Sequence, residues 1–198
     1  MKKVRVGAAT GFYGDSILPA IPSITKGNID YLCFDALAEL TMAILQKDRQ
    51  KNPDWGYARD IGPFMETLLP LCAEHNVKIM TNAGGINPHG VKKIVDEIIK
   101  KLNLNLKVAI VYGDNLMESL EEFKQEGLLV NMQTGETFDY KNHDILFANA
   151  YLGARPLVEA LEQGADIVIS GRTTDAAQFA APLIYEFGWR WDDWDRLA

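Results

Sequence analysis

Asp15, Asp35, Glu39, Asp114 and Asp175 each follow closely on a short apolar or β-branched stretch, and Asn82, Asn87, Asn149 and Arg172 stand in equivalent places. Carboxylates so placed can act as general acids or bases, asparagine amides can hold a developing oxyanion, and an arginine fork suits an anionic substrate. Together they fit proton transfer at a carbon next to a carbonyl, the chemistry of lyases and hydratases. Asp15, Asp35, Glu39, Asp114 and Asp175 are therefore the catalytic candidates. Thr10, Gly11, Gly14, Asn82, Gly84, Gly85, Asn87, Asn149 and Arg172 are the substrate-binding candidates. Asp35 and Glu39 lie one helical turn apart and share a side. So many acids in one pocket require a counter-ion, so either a hard divalent metal gathers some of them or several point outward. His89, opening a helical pattern beside "NAGGINPHG", is a further acid or base.

These residues need a scaffold that brings them to one edge. Apolar runs at 4–8, 31–35, 77–82, 108–113, 145–150 and 166–171 alternate with helical patterns whose apolar residues recur three and four apart. Continuously apolar strands are those of a parallel sheet covered on both faces, so the expected fold is α/β, a Rossmann-like parallel sheet with helices on both faces. A partial or complete β/α barrel uses the same units and stays open as the alternative. In either fold the candidates fall at the carboxyl ends of the strands, where such sheets bind ligands. Gly, Asn and Asp are also good turn and cap residues. What favours a site is that the opposite ends carry only ordinary turns, "KGNID", "EHN", "LNLNL" and "EQGAD". The crossover between Asp35 and Val77 holds two helices joined by "KNPDWGYARD", and 127–143 reads as a hairpin turning at "QTGE".

Gly7, Gly11 and Gly14 approximate the glycine-rich turn of dinucleotide-binding folds, with Asp35 as the ribose acid. Pro19 and Pro22 disfavour a long helix behind that turn, and the Asp15 carboxylate would oppose a pyrophosphate. No tyrosine has a lysine four residues on, so the short-chain dehydrogenase pair is missing. NAD is not expected, and an NAD-dependent oxidoreductase is the weakest reading.

The chain has 198 residues and a net charge of -7. A diffuse acidic surface repels nucleic acid and anionic lipid, and no apolar run is long enough for a membrane span, so a cytoplasmic protein with a small-molecule substrate is expected. Cys33 and Cys72 read as buried structural thiols, and neither a zinc pattern, a P-loop nor a nucleophile elbow occurs.

The blocks "GAATGFYGDS", "IDYLCFDALAELTMAIL", "NAGGINP", "ANAYLGARPLVEALEQGADIVISGRTTDAA" and "PLIYEFGWRWDDWDRLA" resemble, in order, the N-terminal α/β domain of the acyclic terpene utilisation family. The resemblance covers essentially the whole chain. It implies one domain over 1–198 belonging to a longer architecture, in keeping with an end that no glycine or proline closes. It also implies a catabolic setting, the breakdown of citronellol- and geraniol-like compounds whose acids are processed as coenzyme A thioesters. It carries over no catalytic residue. The resulting expectation is a catabolic enzyme domain acting on an acyl-CoA or carboxylic intermediate as a lyase or hydratase. The competing reading is a non-catalytic subunit, or a homo-oligomer, binding its partner through the C-terminal region near Trp191.

Overall fold

The computed structural model of the chain describes residues 2–197. Its strands are β1 (Val6–Thr10), β2 (Tyr31–Phe34), β3 (Lys78–Thr81), β4 (Val108–Val111) and β5 (Ile167–Ser170). They form one five-stranded parallel sheet in the order β1-β2-β3-β5-β4. The fold is α/β, as expected.

Register explains why these segments are almost wholly apolar. Leu32, Ile79 and Ile167 lie side by side across β2, β3 and β5, and the next row is Cys33, Met80 and Val168. Successive strand residues face opposite ways. The first row packs against helices α1 (Ala20–Lys26), α3 (Ile61–His75) and α4 (Pro88–Lys101) through residues such as Ile24, Leu68 and Val95. The second packs against α6 (Arg155–Glu162) and α7 (Ala177–Phe187) through Leu157, Leu161 and Ala181. With both faces covered, no strand position is free to be polar except at the ends. Burial pushes the Cys72 thiol up to about 12 and raises Cys33 as well, so neither is a ready nucleophile.

Helix α2 (Glu39–Lys51) does not cover the sheet. Its Met42 and Leu45 pack with Leu37, Ile86 and Phe147, loop residues from the carboxyl edge. The helix behind the β1 loop is short, seven residues, and the two prolines stand where a helix tolerates them, Pro19 at its N-cap and Pro22 in its first turn.

One expected strand is not in the sheet. Residues 145–150 make only an isolated antiparallel bridge, Asn149 to Asn115. The place beside β4 is taken by β5, and the half-buried Leu146 and Phe147 turn to a cleft wall instead. Between β4 and this segment come a short 3₁₀ turn, Met117–Ser119, and α5 (Leu120–Gln125). The excursion at 127–143 closes through a bridge between Val130 and Thr137 around "QTGE". A last short helix, α8, spans Trp194–Leu197.

Candidate functional site

The order of strands sets the site. After β3 the chain leaves toward α4 on one face, whereas after the adjacent β5 it leaves toward α7 on the other. Loops that part in this way leave a crevice at the carboxyl ends, the usual ligand position in open α/β sheets.

Asn82, fully buried at the end of β3, links the two strands on its side of the crevice. Its Nδ2 donates to Asp35 Oδ1 (2.9 Å) and its Oδ1 accepts from Ala36 N (2.7 Å). One oxygen of the half-buried Asp35 is thereby oriented. Gly84 follows, and a Cβ there would lie 2.4 Å from the Ser170 carbonyl oxygen, so only glycine lets the β3 loop approach β5 this closely. Gly85 continues the turn with φ 52°.

Asp114 ties the other side. It is 4% exposed, and its Oδ2 accepts from Asn149 Nδ2 (2.8 Å) and Arg172 N (2.9 Å). One carboxylate thus joins the loop after β4, the 145–150 segment and the end of β5. Arg172, expected as an open anion anchor, is 3% exposed. Its Nη1 donates to Asp175 Oδ1 and to the Thr173 carbonyl, each at 2.8 Å, and its Nη2 to Glu39 Oε1 at 3.4 Å. Its guanidinium also stacks on Tyr151, 4.1 Å from the ring centre. Glu39 and Asp175 are thereby drawn onto Arg172. The Tyr151 hydroxyl donated to Glu39, then the Glu39 backbone amide and the Arg172 guanidinium, hold that carboxyl below its usual range. Three buried polar side chains near this junction carry atoms without partners among the described residues: Arg172 Nε, Thr173 Oγ1 and both amide atoms of Gln178.

The backbone amides of the loop after β1 are held by carboxylates, from within the loop and from Asp60. Asp15 Oδ2 accepts from Gly11 N (3.0 Å) and Oδ1 from Ser16 N (2.7 Å), while Gly14 N donates to Asp60 Oδ2 (2.9 Å). The amides a phosphate would seek in such a turn are met by carboxylates. Thr10 is buried, with its carbonyl accepting from Asp35 N (3.2 Å). No hydrogen bond joins Asp15 to Asp35 among the described residues. Asn87 caps α4 by accepting from Gly90 N, and its amide donates to the Asp54 and Trp55 carbonyls. That amide is occupied within the fold. His89 is exposed, its ring 5.3 Å from that of Tyr112. No group of three or more His, Cys, Asp or Glu side chains converges as metal ligands among the described residues.

Over this edge lies a cleft of about 410 Å³. Its lining mixes apolar side chains, Pro53, Ile86, Met117, Leu146 and Phe147, with the polar Gln46, Arg49, Gln50, Asn115 and Asn149. A cleft of this size and mixed lining is typical of small-molecule sites.

The family model described as "Acyclic terpene utilisation family protein AtuA" matches residues 4–198. The chain belongs to the acyclic terpene utilisation family. No curated protein and no solved structure matches it.

In this family member, the strand-end residues Asp35, Asn82, Asp114, Asn149 and Arg172 all sit at the carboxyl edge, but among them only Asn149 lines the cleft. Gln46, Arg49 and Gln50 were missed because they come from the C-terminal half of α2 and not from a loop at a strand end. Their spacing, one face of a helix, was the available signal. A second groove, about 400 Å³, lies between α6 and the end of α7, with Arg155 stacked over Trp191 at 5.0 Å. Among the described residues no helix is long and apolar enough to cross a membrane.

Proposed function

We propose that this member of the acyclic terpene utilisation family is a cytoplasmic enzyme domain that binds a branched, apolar carboxylic intermediate or its coenzyme A thioester in the cleft over the carboxyl edge. The observation that carries the reading is the cleft's mixed lining, apolar side chains together with neutral amides and a single cation, at the strand-order reversal. An amphipathic acid with a hydrocarbon chain matches that lining, and family membership supplies the catabolic setting.

Asp35, which lies at the carboxyl edge near the cleft but not among its lining residues, is the residue we assign to proton transfer. Asn82 holds one of its oxygens and leaves the other unengaged among the described residues. Leu37, two residues on, packs with the cleft residues Ile86 and Phe147. In elimination, the Asp35 carboxylate takes the proton from the carbon beside the carbonyl, and that C–H electron pair becomes the C=C bond. The hydroxyl on the next carbon leaves and takes up the same proton, departing as water. Hydration is the reverse.

Proton NMR in D₂O with citronellic and geranic acids and their coenzyme A thioesters tests this. Deuterium entering beside the carboxyl of a citronellyl compound, or water adding to the conjugated double bond of a geranyl one, is expected, and Asp35→Asn should abolish it. Neither reaction with any of these compounds contradicts the catalytic assignment. If the chain is inert but activates a partner enzyme, and alanine at Trp191 prevents this, the groove beside Trp191 supports the partner-subunit reading instead.

A further inference from the structure

Among the described residues Arg49 is the one charged side chain lining the cleft, and no carboxylate lines it. In a chain with 27 acidic and 20 basic residues, that runs against the average. Four of the six other arginines are answered by acids, Arg172 by Asp175 and Glu39, Arg59 by Asp48, Arg190 by Asp192 and Arg196 by Asp193, whereas Arg5 and Arg155, which lie outside this cleft, are not among the described residues. Arg49 makes no ion pair among the described residues. It is half-buried, and its Nη1 donates to the Ile86 carbonyl at 2.6 Å. Its stem passes Gly56 so closely that a Cβ there would lie 3.2 Å from Arg49 Cδ. The guanidinium is therefore held in place, with its Nε and Nη2 edge uncommitted.

A partly desolvated guanidinium without a counter-charge lowers stability, and a carboxylate meeting two parallel N–H groups relieves that cost with directional, charge-assisted bonds. We infer that the cleft recognises the carboxylate of its ligand through the Nε–Nη2 edge of Arg49, with Gln46 and Asn115 beside it and the hydrocarbon chain against Ile86 and Phe147. This rests on reading the cleft as the substrate site and narrows it. The form recognised is the anionic acid, because a thioester carbonyl offers the fork no charge.

Calorimetric titration of the full chain with citronellic acid and with its neutral primary amide decides the matter. The wild type should bind the acid about 10- to 100-fold more tightly, the range expected of hydrogen bonds to a charged group. Arg49→Gln should erase that preference by weakening the acid alone, and Arg49→Lys, which keeps the charge but not the fork, should retain part of it. Thermal melts establish that each variant is folded. Should Arg49→Gln not fold, the wild-type ratio still decides. Equal binding of acid and amide by the wild type overturns the role of Arg49 while leaving the cleft as the site. A folded Arg49→Gln that keeps the preference does the same. If the wild type binds neither compound, this inference and the reading of the cleft fall together.

Discussion

Asp114 fills the space that a side chain at position 171 would need: a Cβ built on Gly171 lies 2.4 Å from Asp114 Oδ1. Asp114 is 4% exposed and is held by Asn149 and the Arg172 amide, so it has little room to retreat. Gly171→Ala should therefore cost about 1–3 kcal/mol by overpacking. Asp114→Ala strands the buried Arg172 amide and the half-buried Asn149 Nδ2 and should cost about 1–3 kcal/mol as well. The double variant removes the collision along with the carboxylate, so the two losses should sum to more than the combined effect. Urea unfolding of the four proteins checks this. Additive losses would mean that the two residues are not in contact.

Asn82 is neutral between Asp35 and the Ala36 amide. Asn82→Asp preserves the acceptor for Ala36 but sets a second carboxylate against Asp35, and such a pair raises the folded pKa of one member above its unfolded value. A raised folded pKa gives stability that is present at low pH and lost as pH rises through it. The variant should thus match wild type most closely near pH ~4 and fall furthest behind near pH ~7. A gap that does not change with pH would argue against the contact.

Burial lifts the Asp60 carboxyl above its ordinary value, although the Gly14 N–H and its own backbone amide pull the other way. The folded state then holds the Asp60 proton more tightly than the unfolded one, so this group's contribution is present below its ordinary pKa and lost as pH rises through the raised value. Asp60→Asn keeps an acceptor for Gly14 and carries no charge. At neutral pH it should be at least as stable as wild type, with the advantage disappearing in acid. Thermal melts at about pH 7 and about pH 4 make the comparison. A variant less stable at neutral pH than in acid, relative to wild type, would contradict it.

Strands β2, β3 and β5 were legible because their residues are apolar on both sides, a consequence of helices covering both faces. The same local pattern misled at 145–150, where Leu146 and Phe147 are apolar to build a cleft wall. A run that short reads alike in either setting. The candidate residues reached the carboxyl edge because strand direction dictates it. Their individual engagements were not legible. Asp15 holds its own turn, Asn87 caps α4, and Arg172 is closed by acids from α2 and from its own loop. Each depends on which partner lies within about 3 Å, which residue type does not encode. Arg49 escaped notice because a cation in the last turn of a helix is ordinarily read as a solvated partner of the free carbonyls there, and the loops after β3 and β4 and the 145–150 segment make a cleft of that surface.

On the proposed reading a terpenoid acid lies between α2 and the 145–150 segment. The direct measurement is a titration of ¹⁵N-labelled protein with citronellic acid, following the side-chain amide resonances of Gln46, Gln50, Asn115 and Asn149. Saturable shifts of these amides, with those of the distant Gln163 unchanged, are the predicted result. Shifts confined to the Trp189 and Trp191 indole signals, or no saturable shift at all, would contradict the account.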